Sequence, residues 1–277
     1  MPDNVEWLTT VGRDREERDF EMSVRPSGDD ARLARELAIA AGSALQAVRA
    51  GSAEGSDLKA AGDRRAQEVL AALLAEHRPE DAVLSEEAAD SAARLSAERV
   101  WIIDPLDGTR EFSERPRTDW AVHVALWAAG ELVAGAIALP ARDAAYDTDR
   151  PPVLPERAPG ALRLAVSRSR PPAFVMQIAE QLGAELVPMG SAGVKCASVW
   201  LGEADAYVHA GGQYEWDSAA PVAVARSAGL HTSRIDGSEL VYNQPDPRLP
   251  DLVVCRPEFS DRILKTIAAN VPEVNYQ

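Results

Sequence analysis

The sequence predicts an α/β protein, α+β in its first half, built as two lobes, and three observations carry that expectation. The first half reads as two amphipathic helices followed by short strands and an antiparallel hairpin. A stretch rich in proline and charge, "DTDRPPVLPERAPG", then interrupts the chain. Beyond it, strand and helix patterns alternate to the end, as they do in layered α/β structures. A chain of 277 residues is long enough for one large domain or for two fused lobes. We place the lobes at residues 29–158 and 159–277, behind a polar leader of residues 1–28.

In order along the chain, the first helix starts at Asp29, which caps it. It carries Leu33, Leu37, Ala41, Leu45 and Val48 on one face and stops before Gly51. A polar loop from Gly51 to Asp57 precedes a second helix through "RRAQEVLAALLAEH", which Pro79 ends. "AVLSEE" and "VWIIDP" read as short buried strands that both run into acids. The second should end at Pro105, which has no N–H to give a ladder. "DWAVHVALW" and "ELVAGAIAL", joined by "AAG", form a hairpin with Gly130 in its turn. The second lobe then alternates strand "LRLAVS", a helix from Pro172 to Leu182, strand "AELVPM" and helix "SAGVKCASVWLG". Strand "ADAYVH", helix "DSAAPVAVARSAG", strand "DLVVC" and a final helix complete it.

Composition excludes several classes of function. No apolar run is long enough for a membrane span, and the charged start lacks the apolar core of a signal peptide, so the expectation is a cytoplasmic protein with no membrane partner. A net charge of −15 argues against nucleic acid as a partner, because that affinity rests on Lys and Arg neutralising phosphates. A small anion can still bind where a metal ion reverses the local sign. Cys196 and Cys255 stand far apart in apolar surroundings and read as buried, reduced thiols.

The chemistry-bearing stretch is "VWIIDPLDGTREF". Asp104 and Asp107 flank Pro105 and can converge where the chain turns, while Gly108 and Thr109 present N–H groups at what reads as a helix start, a place for a phosphate oxygen. Clustered carboxylates without His or Cys suit a hard cation such as Mg²⁺. Taken alone, "DPLDG" fits an acidic turn equally well. Spacing rules out other sites. An EF-hand fails because Leu106 and Gly108 fall where oxygen ligands are needed, and no GxxxxGK[ST] loop exists. Two residues, not one, separate the aspartates, against an aspartyl nucleophile, and no Arg follows Cys196 as a cysteine phosphatase would need. Glu86 and Glu87 in "LSEE" are a solvated edge or metal ligands, and Asp217 in "WDSAA" is a helix cap or a ligand.

Together, "LSEE", "WIIDPLDGT" and "WDSAA" resemble the signature motifs of the inositol monophosphatase superfamily, the Mg²⁺-dependent, lithium-sensitive phosphatases. The likeness spans three separated motifs and most of the chain. "DGTREF" and "WDSAAP" look closer to the 3′(2′),5′-bisphosphate nucleotidase branch, of an actinobacterial kind linked to sulfate assimilation. The resemblance implies a layered αβαβα fold with the site between two lobes. It also implies metal ligation by Glu86, Asp104, the Leu106 carbonyl, Asp107 and Asp217, with two or three Mg²⁺ ions. Asp63 and Thr109, with Glu86, would activate a water for in-line attack, and the N–H groups of Gly108 and Thr109 would hold the phosphate. Where the family often shows D-x-x-T-x-A-D, this chain has "DLKAAGD", with Ala60 at the Thr position and Asp63 at the final acid; a helix N-cap is the other reading of Asp63.

That branch implies loss of the 3′-phosphate of adenosine 3′,5′-bisphosphate, and of its 5′-phosphosulfate analogue, with a nucleotide bisphosphate as partner and a homodimer as an admitted assembly. A second phosphate needs cations away from the metals, for which Arg110, Lys195 and His209 are candidates, and "GSAGVKCAS" resembles a substrate loop in which Gly190, Ser191 and Ala192 touch the ligand. A neutral or cationic His209 ring suits a nucleotide better than a polyol. Inositol or fructose bisphosphate phosphatase activity stands as the alternative within this chemistry, and a noncatalytic nucleotide-binding regulator as the alternative outside it.

Overall fold

The structure, a computed structural model, describes residues 28–270, so the leader expected at residues 1–28 lies outside the described residues except for Gly28. Helix α1 (Gly28–Ala50) buries Leu33, Ala34, Leu37, Ala38, Ala41 and Leu45 on one face. Helix α2 (Gly55–His77) buries Leu58, Gly62, Ala66, Leu70 and Leu74, a four-residue repeat that lays one stripe against α1 and the sheet. The second helix therefore starts earlier than its apolar pattern suggests. The segment "SDLKAAGD" is helical, and Asp63 lies inside the helix rather than at its cap.

The first sheet comprises β1 (Ala82–Ser85), β2 (Arg99–Asp107), β3 (Ala121–Ala128), β4 (Glu131–Leu139) and β5 (Ala144–Asp147), in that spatial order. β1 runs parallel to β2 and the other pairs are antiparallel. Because side chains alternate along a strand, Trp101, Ile103, Val122, Val124 and Leu126 face α1 and α2, while Val100, Ile102, Ala121, Ala125 and Ile137 face the opposite way. That second face is covered by α5 (Ala192–Trp200) and α6 (Glu215–Ser227).

The second sheet has the order β7 (Glu185–Met189), β6 (Arg163–Ser167), β8 (Ala206–Ala210), β10 (Asp251–Cys255), β9 (His231–Ser233). Ala165, Tyr207, Leu252 and Val254 meet the α5 and α6 layer from its far side. Leu164, Val166, Ala206 and Val253 pack outward on α4 (Ala173–Leu182) and α7 (Pro257–Asn270). The layers thus run α, β, α, β, α, and every residue of α5 is buried between the two sheets. Both cysteines are free and buried, as expected. β5 and β9 carry no sequence signal, because edge strands of four and three residues are too short to show a period.

One local departure shapes the site. β2 does not stop at Pro105 but continues to Asp107, with a register shift between Asp104, opposite His123, and Asp107, opposite Ala121. Pro105 has no N–H, and the Leu106 N–H turns to the Asp104 carboxylate at 3.0 Å, so one extra residue bulges from the strand and pairing then resumes. The short helix α3 (Thr109–Ser113) follows.

Gly62 lets α2 come close to this bulge: a methyl there would sit 2.7 Å from the Phe112 ring and 2.9 Å from the Leu106 side chain. Although alanine favours helix by about 1 kcal/mol, Gly62→Ala is expected to destabilise the protein by about 1–3 kcal/mol through overpacking. Urea unfolding of the two proteins checks this, and an unchanged or raised midpoint would contradict the packing.

Candidate metal centre

Three carboxylates meet where β2 ends against the first turns of α5 and α6. One oxygen each of Asp104, Asp107 and Asp217 lies within 4.8 Å of the others. Asp104 and Asp107 sit either side of the bulge, which turns both carboxylates inward. Asp217 lies in the first turn of α6, where one of its oxygens accepts the Tyr214 N–H at 2.8 Å. It is therefore not the cap residue itself, but it caps from the third position and leaves its other oxygen without a hydrogen bond among the described residues.

Asp107 is held most firmly. One oxygen accepts the Gly193 N–H at 2.7 Å and the Ser191 hydroxyl, so the carboxylate closes the N-terminus of α5. The other oxygen accepts no hydrogen bond among the described residues. Burial pushes the Asp107 carboxyl up, but His123, Lys195 and the Ser191 hydroxyl overcome it and hold the group well below the usual carboxylate range. Its neighbours move the opposite way. Burial first, then the charges of Glu86, Asp107 and Asp217, raise Asp104 well above its ordinary value. Burial and Asp107 push Asp217 up to about 6. Glu86 has an exposed side chain whose carboxyl end reaches this cluster, and desolvation there followed by the charges of Asp217 and Asp107 pushes it up to about 7.

Thr109 and Asp63 also come together. The Thr109 hydroxyl donates to the Leu106 carbonyl at 3.1 Å and lies in hydrogen-bond reach of the Asp63 carboxyl, which burial and the charge of Glu87 push up to about 6. Gly108, at φ +86°, precedes the helix in a conformation that favours glycine, with the Ser191 side chain and the Asp119 carbonyl each 3.1 Å from where a Cβ would stand.

The residues expected around the substrate divide by environment. Gly190, Ser191 and Ala192 are buried, and a Cβ on Gly190 would run into the Glu111 carboxyl. Lys195 is a buried cation rather than part of a solvated helix face. Its ammonium donates to the Ser191 carbonyl at 2.7 Å and lies 5.2 Å from the Tyr207 ring, and burial lowers its pKa. Burial pushes His209 down to about 4, so its ring is neutral near pH 7. Of "REF", only Arg110 is exposed, paired with Glu114 at 3.5 Å; Glu111 is buried against Arg168, and Phe112 packs edge-on to Trp120. His123, wholly buried beside Asp107, escaped the sequence reading. A histidine amid the apolar alternation of a buried strand is the signal that marks it, but only the register with β2 names its partners.

The donor set fits a metal. It is all oxygen, it concentrates negative charge in a dry site, and Asp107 and Asp217 each keep an oxygen that no hydrogen bond claims among the described residues. The model of the inositol monophosphatase family matches residues 30–273. The chain belongs to the inositol monophosphatase family. A protein of Mycobacterium tuberculosis named 3′-phosphoadenosine 5′-phosphate phosphatase is 53% identical over 238 residues, covering 82% of this chain and 89% of the relative. One of Mycobacterium leprae with the same name is 49% identical over 266 residues, covering 91% and 97%. The crystal structure of CysQ from Bacteroides thetaiotaomicron, 27% identical, superposes with a TM-score of 0.72 over 82% of this chain and 97% of that one. The family's layered fold is thus the one observed, and the chain is a phosphatase.

Proton linkage tests the centre directly. Asp104, Asp217 and Glu86 have folded values above their ordinary 3.8, 3.8 and 4.5, so from about pH 4 to 7 the folded chain binds more protons here than the unfolded chain. In this cluster the contribution to stability therefore falls as pH rises through that window, and a bound cation must first displace those protons. We expect a divalent cation to raise Tm little at pH 5 and strongly at pH 7.5, by the equivalent of about 2.7 kcal/mol at a hundredfold excess over Kd. Thermal melts with and without the ion at both pH values check this; equal gains would contradict it.

Proposed function

We propose that this chain is a Mg²⁺-dependent phosphatase that hydrolyses the 3′-phosphate of adenosine 3′,5′-bisphosphate to AMP and phosphate. On the same reading it also takes the 5′-phosphosulfate analogue, in the service of sulfate assimilation. The observation that carries it is the cluster of Asp104, Asp107 and Asp217, just before Gly108 and Thr109 in the chain, in a protein about half identical to mycobacterial proteins named 3′-phosphoadenosine 5′-phosphate phosphatase.

Asp104, Asp107, Asp217, Glu86 and the Leu106 carbonyl are the groups that would hold two or three ions. Such ions lower the pKa of water and stabilise the charge that develops on attacking and leaving oxygens. The chain's own part is binding, orientation and proton transfer. Asp63, near 6, is matched to accept a proton close to neutral pH, and the Thr109 hydroxyl lies between it and the Leu106 carbonyl. The N–H groups of Gly108 and Thr109, at the start of α3, would hold a phosphate oxygen on this reading. Lys195 supplies buried positive charge beside Asp107 for the anionic substrate, and Arg110 stands exposed in a surface pair with Glu114, weak enough to yield to a second phosphate. His209, neutral near pH 7, contributes a ring rather than a charge. Nothing in the cluster favours a noncatalytic regulator, since every acid the chemistry needs is present.

Two measurements test the reading. kcat/KM for adenosine 3′,5′-bisphosphate should exceed that for inositol 1-phosphate and fructose 1,6-bisphosphate by at least about tenfold, or about 1.4 kcal/mol. A preference for the inositol phosphate by the same margin would overturn the substrate assignment. Asp107→Asn keeps the shape and an oxygen acceptor for Ser191 and Gly193 but removes the charge. It should lower turnover by about a thousandfold, near 4 kcal/mol of transition-state stabilisation, in a protein that still folds by circular dichroism but melts lower, since a carboxylate held below its ordinary range stabilises the fold near pH 7. Undiminished turnover would remove Asp107 from the metal set.

A further inference from the structure

We propose that His123 is a positioning residue for the metal centre: a buried imidazole that hydrogen-bonds the first turn of α6 from β3 while standing against the Asp107 carboxylate, and so sets the spacing between Asp107 and Asp217. The inference rests on the reading of the acidic cluster as a metal centre.

His123 is fully buried in β3, flanked by Val122 and Val124 and opposite Asp104 in the ladder. It shares the sheet face of Ala121 and Ala125, which looks toward α5 and α6. Burying an imidazole among apolar side chains is costly unless its nitrogens find partners. Nδ1 lies 3.1 Å from the Trp216 carbonyl, and since a carbonyl can only accept, Nδ1 carries the hydrogen and donates it. Nε2 lies 3.3 Å from the Asp107 Oδ2 and makes no hydrogen bond among the described residues, so the ring meets Asp107 by close approach alone. Nδ1 is also 4.0 Å from the Asp104 Oδ2. One ring therefore lies beside both ligands of β2 and the peptide that directly precedes Asp217.

That placement matters because the ligands come from two elements with different freedom. Asp104 and Asp107 are linked through one bulge, whereas Asp217 belongs to a helix that meets β2 only through packing. Like charges brought together out of water tend to push that helix away. The hydrogen bond from β3 to the Trp216 carbonyl opposes this at the residue next to Asp217. The chain also makes room for the ring, for a Cβ on Gly193 would stand 2.0 Å from His123 Nε2. The Gly193 that donates to Asp107 thus also admits the imidazole against it.

The test measures the ion directly. Mg²⁺ alone is titrated calorimetrically into metal-free wild-type, His123→Ala, His123→Leu, His123→Asn and His123→Gln proteins, with Tm and circular dichroism recorded for each. Asn retains a donor where Nδ1 stands, and Gln places one near Nε2. We expect His123→Ala and His123→Leu to weaken ion binding by about 10- to 100-fold, as loss of a group behind metal ligands does, with Asn and Gln intermediate. If His123 only fills space, Leu should bind the ion as the wild type does, whatever its Tm. Leu affinity within twofold of wild type therefore overturns the proposal, as does an Asn protein that binds the ion no better than Leu, and these two decide it if the Ala protein does not fold. A wild-type protein that binds no divalent ion would instead overturn the metal-centre reading on which the proposal rests.

Discussion

Carboxylates placed within a few ångströms of one another out of water repel, and the architecture of this protein is organised around bearing that repulsion. Asp104, Asp107 and Asp217 share one small volume, and the upward shifts of Asp104 and Asp217 record burial first and that repulsion second. The exception is informative. Asp107 stays ionised because α5 starts against it, lending the Gly193 N–H, the Ser191 hydroxyl and nearby Lys195, while His123 approaches from β3. A charge fixed at the centre in this way makes its neighbours still harder to ionise, which is the condition that favours a bound cation.

The fold supplies the positions that this cluster needs. The central α5 and α6 layer is clamped between two sheets, so the first turns of both helices are held against the end of β2. The bulge at Pro105 and Leu106 turns Asp104 and Asp107 toward the same side. A regular strand would also point residues 104 and 106, not 104 and 107, to one face. One inserted residue therefore converts a strand end into a pair of convergent carboxylates. On the other side of the first sheet, Gly62 brings α2 close enough to set Asp63 over Thr109.

Much of this was legible in the sequence. The helices and central strands announced themselves by apolar spacing, and "LSEE", "DPLDGT" and "WDSAA" named the acids. What the spacing could not convey was environment. Lys195 reads as a candidate cation for a second phosphate away from the acids, yet α5 is buried all round and its charge acts on Asp107. His209 reads as a possible cation, yet its pocket desolvates it. The start of α2 was hidden because its first turns carry few apolar residues and are held by contact with the bulge rather than by a stripe of their own.

The sequence by itself determined the element types, the family and the identity of the acids, because those depend on local periodicity and on residues close together in the chain. Only the tertiary structure decided which groups act on one another. His123 lies 94 residues before Asp217 and sixteen beyond Asp107, and β-sheet register together with helix docking brings it to both. Protonation followed the same rule. Burial and neighbouring charge push identical side chains apart, lowering Asp107 while raising Asp104, and neither quantity exists until the chain has folded.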